Sequence, residues 1–443
     1  MNRFAEDSTS RVRWSILAML FGFSFVSYLE RVNISITAEM MMPELSLTKT
    51  AMGQIFSSFL IGYAIFQIPG GALGDTIGPR LTLSLAALFW GIVTVLSGII
   101  PGAIVQGSTS VFVSLWILRF LLGSTEAATY PVAALSVRNW MPARQRAFAN
   151  GVMLSGSSLA TAVTAPVVSL LMIRFGWRDA FYVTSSLAFL IAVLWFRYAT
   201  DRPEQHPHIS ANELALIRPQ QESTSVPPES NGGIRRVWEL LANRKILFLS
   251  LSYISEGYVL FIFVFWLYIY LVEVRGFTLM KGGLVTSLPW LAATLATPAG
   301  GYVSDLLSSR FGRLEGARRI IMTSYGILGI MLFAAAEVGS RNLAVSILCL
   351  SVGFLYFAES SFWTTAAHLS TQNVGAVSGI MNAAGIVGGI ASTSLVPILV
   401  KYFGWLVALG SGALMAILCA LSWWAMGRIV APDAPGPPQA ASA

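Results

Sequence analysis

Apolar runs of about 20 residues recur along the whole chain, each long enough to cross a hydrocarbon layer of about 30 Å as a helix. In lipid every backbone polar group must be satisfied internally, which leaves only helices and closed barrels. A barrel would show short segments of period-two alternation, whereas these runs are continuously apolar and rich in Leu, Ala, Gly and Ile. The composition agrees, since 55% hydrophobic and 11% charged residues are too apolar for the surface of a soluble protein of 443 residues. The expected fold is an all-α membrane protein with twelve transmembrane helices, near 14–41, 51–73, 81–100, 111–137, 147–172, 179–198, 246–272, 283–305, 319–338, 343–366, 374–400 and 404–428. These group into an N-terminal six-helix bundle (1–198) and a C-terminal one (246–430). Between them, 199–245 holds Pro203, Pro207, Pro219, Pro227, Pro228 and Gly232-Gly233, the composition of a flexible cytoplasmic linker. Residues 431–443, rich in Pro and Ala, read as a disordered tail.

Lys and Arg concentrate in the loops on the side of the N-terminus, and such loops resist translocation, so both termini are expected in the cytoplasm. Arg3, Arg11 and Arg13 precede the first run without a small-residue cleavage site after it, which reads as a retained helix rather than a signal peptide. The net charge of +7 then reports topology and anionic headgroups, not nucleic-acid binding. Cys349 and Cys419 sit inside apolar runs as packing residues. His206, His208 and His368 lack metal-ligand spacing to acids or cysteines. No cofactor, metal or catalytic constellation is expected, and the chain is read as a monomer in a cell membrane, the inner membrane if bacterial.

The halves repeat. Gly53, Gly71 and Asp75 match Gly283, Gly301 and Asp305 at a spacing of 230, while Gly151 matches Gly379 and Phe175-Gly176-Trp177 matches Phe403-Gly404-Trp405 at 228. Duplication of this kind suits alternating access, with two bundles rocking about a midplane site. The loop Gly71-Ala72-Leu73-Gly74-Asp75-Thr76-Ile77-Gly78-Pro79-Arg80 and its echo from Gly301 through Asp305 to Arg313 resemble the major facilitator superfamily over the whole chain. Thr76 and Pro79 stand where that family has basic residues. The resemblance implies a cytoplasmic gate built on Gly71, Asp75, Arg80 and Asp305, in which glycine allows close helix contact and Asp75 meets a helix N-terminus.

Ionisable groups inside the membrane cost about 2.5–3.5 kcal/mol on insertion scales and persist where they line a cavity or pair. On the first span Tyr28, Arg31 and Ser35 share one face, with Glu30, Asn33 and Thr37 about 100° round from it. On the fourth, Arg119 and Glu126 lie seven residues apart on nearly one face, where Arg119 serves as structural tie or gate and Glu126 as a proton carrier. More narrowly, Tyr28-Leu29-Glu30-Arg31-Val32-Asn33 with Arg119-Phe120-Leu121-Leu122-Gly123-Ser124-Thr125-Glu126 resembles the anion:cation symporter family, which includes bacterial sugar-acid carriers of the D-galactonate and hexuronate type. Glu30 replaces the Asp usual there. The resemblance implies that Arg31 binds a substrate carboxylate and that Glu30 and Glu126 exchange protons. It also implies substrate contacts from Tyr28, Tyr63, Ser157, Trp266, Tyr270, Ser360, Trp363 and Asn382, each of which also reads as ordinary packing. Glu256 and Glu359 are given structural or accessory roles.

The expected activity is import of an organic anion, a sugar acid or small carboxylate, by proton symport. Protons on Glu126 and Glu30 free Arg31 for the anion, and their loss in the cytoplasm weakens its hold. An anion exchanger without proton coupling and a non-transporting membrane sensor are the alternatives.

Overall fold

The computed structural model describes residues 11–142, 145–217, 239–369 and 374–425, apart from the side chains of 147, 305, 313, 367, 374 and 375. The tail at 431–443 and the linker residues 218–238 lie outside these. The long helices are α1 (Val12–Glu44), α2 (Lys49–Ile77), α3 (Pro79–Ile99), α4 (Ser108–Glu126), α5 (Thr129–Trp140), α6 (Arg146–Phe175) and α7 (Trp177–Tyr198). After the short α8 (Ala211–Ile217) come α9 (Arg244–Glu273), α10 (Leu279–Phe311), α11 (Arg313–Glu337), α12 (Arg341–Leu369) and α13 (Val374–Ala425). Among the described residues ten helical segments are long and apolar enough to cross a membrane, with α4 and α5 forming a single one. The last of them, Ala376–Ala425, is broken at Gly404 and supplies two crossings. The twelfth is α10, whose apolar residues are diluted by Gly, Ser and Thr. Large apolar side chains such as Ile68, Leu295 and Ile330 are exposed, which a surface solvated by lipid tolerates.

The helix ends follow local chemistry. The Thr48 side chain accepts the amide of Ala51 at 3.1 Å and starts α2. Gly176 (φ 98°) ends α6, and its repeat partner Gly404 (φ 79°) breaks α13. Both take an extended positive-φ conformation that a Cβ penalises, so the repeated Phe-Gly-Trp is a repeated turn.

The chain divides into two compact units. Unit one comprises residues 1–229, 263–291 and 393–402, and unit two comprises 230–262, 292–392 and 403–443. Within unit one, glycines bring helix backbones together. A Cβ on Gly123 of α4 would stand 2.0 Å from the Phe59 carbonyl oxygen of α2, and one on Gly156 of α6 would stand 2.5 Å from that of Phe21 on α1. Unit two repeats the device. A Cβ on Gly300 of α10 would lie 1.9 Å from the Phe357 carbonyl of α12, and one on Gly388 of α13 would lie 2.0 Å from that of Ile254 on α9. Small residues at matching crossings allow the close approach that substitutes for a hydrophobic drive between helices in lipid.

The first part of the segment read as a linker is folded onto unit one. The buried Glu213 carboxylate accepts the amides of Val12 (3.3 Å) and Arg13 (3.1 Å), capping the start of α1. His206 packs against the rings of Trp140 and Tyr198, at centroid distances of 5.7 and 4.9 Å. Proline content signals where a helix cannot continue, but not where a turn finds an apolar seat.

Candidate functional site

The centre of unit one is a buried ion pair. Nη2 of Arg31 on α1 lies 3.1 Å from Oε2 of Glu126 at the end of α4, and Nε lies 3.4 Å from the same oxygen. Arg31 is 5% exposed and Glu126 fully buried. The Ser27 hydroxyl, one turn before Arg31, donates to that oxygen at 3.1 Å. The other carboxylate oxygen, Oε1, has no hydrogen-bond partner among the described residues. Three rings hold the guanidinium, with centroids 4.3 Å (Tyr28), 4.9 Å (Phe59) and 5.0 Å (Tyr63) from its central carbon. The arrangement leaves a planar cation sandwiched by aromatics and satisfied by an acid that can also carry a proton.

Glu30 is adjacent to Arg31 in sequence but points elsewhere, as the rotation between neighbouring helical residues requires. Its Oε2 accepts the hydroxyl of Thr94 on α3 at 3.0 Å, and its Oε1 is unpartnered among the described residues. On the same side Asn33 donates to Thr184 of α7 at 2.9 Å. Arg119 ties the two acid positions together through the backbone. Its Nη2 donates to the Arg31 carbonyl at 2.9 Å and its Nη1 to that of Glu30 at 3.4 Å, so it holds the α1 backbone that carries Glu30 and Arg31 against α4, which carries Glu126.

Ser27, Phe59, Thr94 and Tyr130 belong to this cluster but are absent from the residues singled out in the sequence. Ser27 lies four residues before Arg31, a helical spacing that marked it as a neighbour. Tyr130 follows the break between α4 and α5, meets Tyr28 edge to face at 6.3 Å, and shares a hydrogen bond with Ser24 at 3.0 Å. Its spacing of four from Glu126 was the available signal.

The other candidates are not drawn into this cluster. Ser157 donates to the Leu154 carbonyl of its own helix at 2.7 Å. Trp266 is buried against Phe56, edge to face at 5.4 Å, and the Tyr270 hydroxyl accepts from Arg275 Nε at 2.8 Å. Ser360, Trp363 and Asn382 belong to unit two. There Ser360 Oγ has no partner among the described residues, Trp363 donates from Nε1 to Glu359 at 2.6 Å, and Asn382 is half-buried. In the loop after α2, a Cβ on Gly71 would stand 3.3 Å from Pro131 of α5. Asp75 is exposed, while Arg80 is tied within unit one, its amide to Asp201 at 2.8 Å and its Nε to the Phe196 carbonyl at 2.9 Å. The side chain of Asp305 lies outside the described residues.

The sequence pattern of the Major Facilitator Superfamily matches residues 20–393. The chain belongs to this superfamily. Among relatives of this major facilitator protein, a probable sulfoacetate transporter of Cupriavidus necator is 31% identical, with 92% of each chain covered. A hexuronate transporter of Bacillus subtilis is also 31% identical, over 93% of this chain and 94% of its own. A probable galactarate/D-glucarate transporter of Escherichia coli is 27% identical, over 94% of both. Among solved structures, a bacterial homologue of the human lysosomal transporter Spinster superposes with a TM-score of 0.77 at 16% identity, over 94% of this chain and 97% of that one. The Escherichia coli xylose transporter superposes with a TM-score of 0.74 at 16% identity, over 96% and 97%. The major facilitator fold is therefore present, and the protein is a multi-pass membrane transporter, not an enzyme.

Proposed function

We propose that this major facilitator protein imports a small organic anion, a sugar acid or a short carboxylate or sulfonate, by proton symport with alternating access. The observation that carries the reading is the buried Arg31–Glu126 pair, in which Glu126 keeps one oxygen unpartnered among the described residues. An ionised Glu126 occupies the guanidinium and competes with any incoming anion. A proton on Glu126 removes the competitor, and Arg31 then offers its planar fork to a carboxylate or sulfonate. Tyr28, Phe59 and Tyr63 hold the guanidinium plane, and the Tyr28 and Tyr63 hydroxyls suit a hydroxylated acid. Once the proton leaves, Glu126 reclaims Arg31 and the anion's hold weakens, which couples release to deprotonation. Glu30, with its own unpartnered oxygen, is the second proton site in this scheme, and Arg119 holds the α1 backbone that carries Glu30 and Arg31. The names of the relatives, carriers of sulfoacetate, hexuronate and galactarate, support the choice of anion. The Lys and Arg bias of the loops supports a cell-membrane orientation with cytoplasmic termini.

The test is uptake of D-glucuronate, D-galacturonate, galactarate and sulfoacetate into proteoliposomes, with and without an imposed inward proton gradient. Accumulation of one acid that follows the gradient, vanishes in Arg31→Ala and survives only as exchange in Glu126→Gln is the expected result. Flux that ignores the gradient and requires internal anion would identify an exchanger instead.

A further inference from the structure

Unit two holds two acids in apolar helices that the chemistry of Arg31 does not use. Glu256 on α9 is 5% exposed, and no donor among the described residues meets its carboxyl. Glu359 on α12 accepts at one oxygen from the Tyr253 hydroxyl (2.7 Å) and from Trp363 Nε1 (2.6 Å). The two carboxyls lie within electrostatic reach of each other. The titratable groups facing them are Tyr253 from α9, Tyr325 from α11 and Cys419 from α13, with Tyr356 from α12 beside Tyr325. No Lys, Arg or His among the described residues acts on either carboxyl. Tyr325 is fully buried, within reach of both acids, and its hydroxyl has no hydrogen-bond partner among the described residues. Phe362 packs between the two tyrosines, edge to face with Tyr253 at 5.1 Å and with Tyr325 at 5.7 Å.

This is a different arrangement from that in unit one, where Arg31 offsets the charge of Glu126. Two carboxylates with no cation cannot both ionise cheaply in a layer where a single charge already costs about 2.5–3.5 kcal/mol on insertion scales. A proton retained between them removes most of that cost. Glu359, with two donors on one oxygen, is the better-supported anion, which leaves Glu256 as the proton's seat. The idle Tyr325 hydroxyl gives the proton a neighbour to pass to. A purely structural cluster would be expected to satisfy its buried polar atoms, and the Tyr325 hydroxyl is left without a partner among the described residues.

We infer that Glu256 and Glu359 form a second proton-binding pair within unit two, which holds one proton between them and exchanges it during transport, with Tyr253 and Tyr325 as its hydroxyl neighbours. The inference rests on the proton-symport reading, and a test independent of transport keeps the two apart. Infrared spectra of the full chain in lipid nanodiscs, titrated from acid to alkaline pH, report protonated carboxyls directly through their carbonyl stretch. The wild type is expected to show a band that Glu256→Gln removes, that Glu359→Gln displaces, and that disappears as the pH rises. Glu256→Asp, which preserves the acid, is expected to retain a titrating band, and it serves as the working variant if the Gln protein does not fold. A spectrum unchanged by the substitutions, or a band that never titrates, overturns the proposal. A second arm follows protons and D-glucuronate entering proteoliposomes together, where Glu256→Gln is expected to lower the ratio of protons to anion and an unaltered ratio counts against the pair. If the wild type moves D-glucuronate without protons, the symport reading fails, while the infrared titration still decides whether the pair binds a proton.

Discussion

Glu126→Gln keeps the shape of the side chain that holds Arg31 but removes its charge and its proton. In the structure the two charged atoms stand 3.1 Å apart. At an effective dielectric of about 20, two unit charges at that range attract by about 5 kcal/mol. An anion arriving while Glu126 is ionised must displace that attraction, whereas one arriving after protonation need not. Because each 1.4 kcal/mol is a factor of ten, a 5 kcal/mol competition is large enough to sustain an affinity loss of about tenfold per pH unit over about three units. The wild-type affinity for D-glucuronate should therefore fall about tenfold for each unit of rising pH once Glu126 ionises. The Gln variant should bind with a pH-independent affinity close to the acid limit of the wild type. Isothermal titration of detergent-purified protein across a pH series measures both. A variant that keeps the wild-type slope, or a wild type with none, refutes the assignment of Glu126 as the coupling acid.

Arg119→Ala removes two charge-assisted hydrogen bonds to the α1 backbone and should destabilise unit one by about 3 kcal/mol, read as a lowered thermal midpoint of purified protein; an unchanged midpoint would contradict the bracing role. Gly123→Ala places a Cβ 2.0 Å from the Phe59 carbonyl oxygen. The crossing of α2 and α4 should open at a cost of about 1–3 kcal/mol, and a variant as stable as wild type would show that the crossing is not tight. Glu213→Ala uncaps the start of α1 and should cost about 1–2 kcal/mol, seen as faster proteolysis at the N-terminus, with wild-type cleavage rates counting against the cap. Burial, followed by the neighbouring His208, pushes the His206 imidazole below its ordinary value, and its Nδ1 accepts the His208 amide at 3.2 Å, which a protonated ring cannot do. With the folded value depressed, this contribution is full above the unfolded value of about 6.5 and is lost as pH falls through the folded one. The wild type should lose more thermal stability on acidification than His206→Gln, and parallel pH profiles would refute the linkage.

The sequence made the twelve spans legible because the membrane imposes length and apolarity on each crossing, and the repeated Phe-Gly-Trp turn because a positive φ selects glycine at both copies. Arg31 and Glu126 stood out as charges in apolar helices. Which acid Arg31 would meet was not legible. Glu30 is adjacent in the chain, but helix rotation carries it to Thr94, and the pairing with Glu126 depends on how α1 and α4 pack. Trp266 and Tyr270 pack against Phe56 and Arg275, and an aromatic residue carries no sequence mark that separates a pocket wall from a packing contact. The seating of 203–217 on unit one was hidden for a similar reason. Pro and His are polar or neutral by composition, and only Trp140, Tyr198 and the free amides of α1 turn that segment into a clasp.

The central claim is that anion and proton enter together through the chemistry of Arg31 and Glu126. Proteoliposomes loaded with a pH-sensitive dye, given external D-glucuronate or another transported acid with no imposed gradient, test it most directly. The lumen is predicted to acidify in step with anion uptake in the wild type, and Glu126→Gln is predicted to abolish the acidification while leaving exchange intact. Anion uptake by the wild type with no change in lumenal pH would contradict the account.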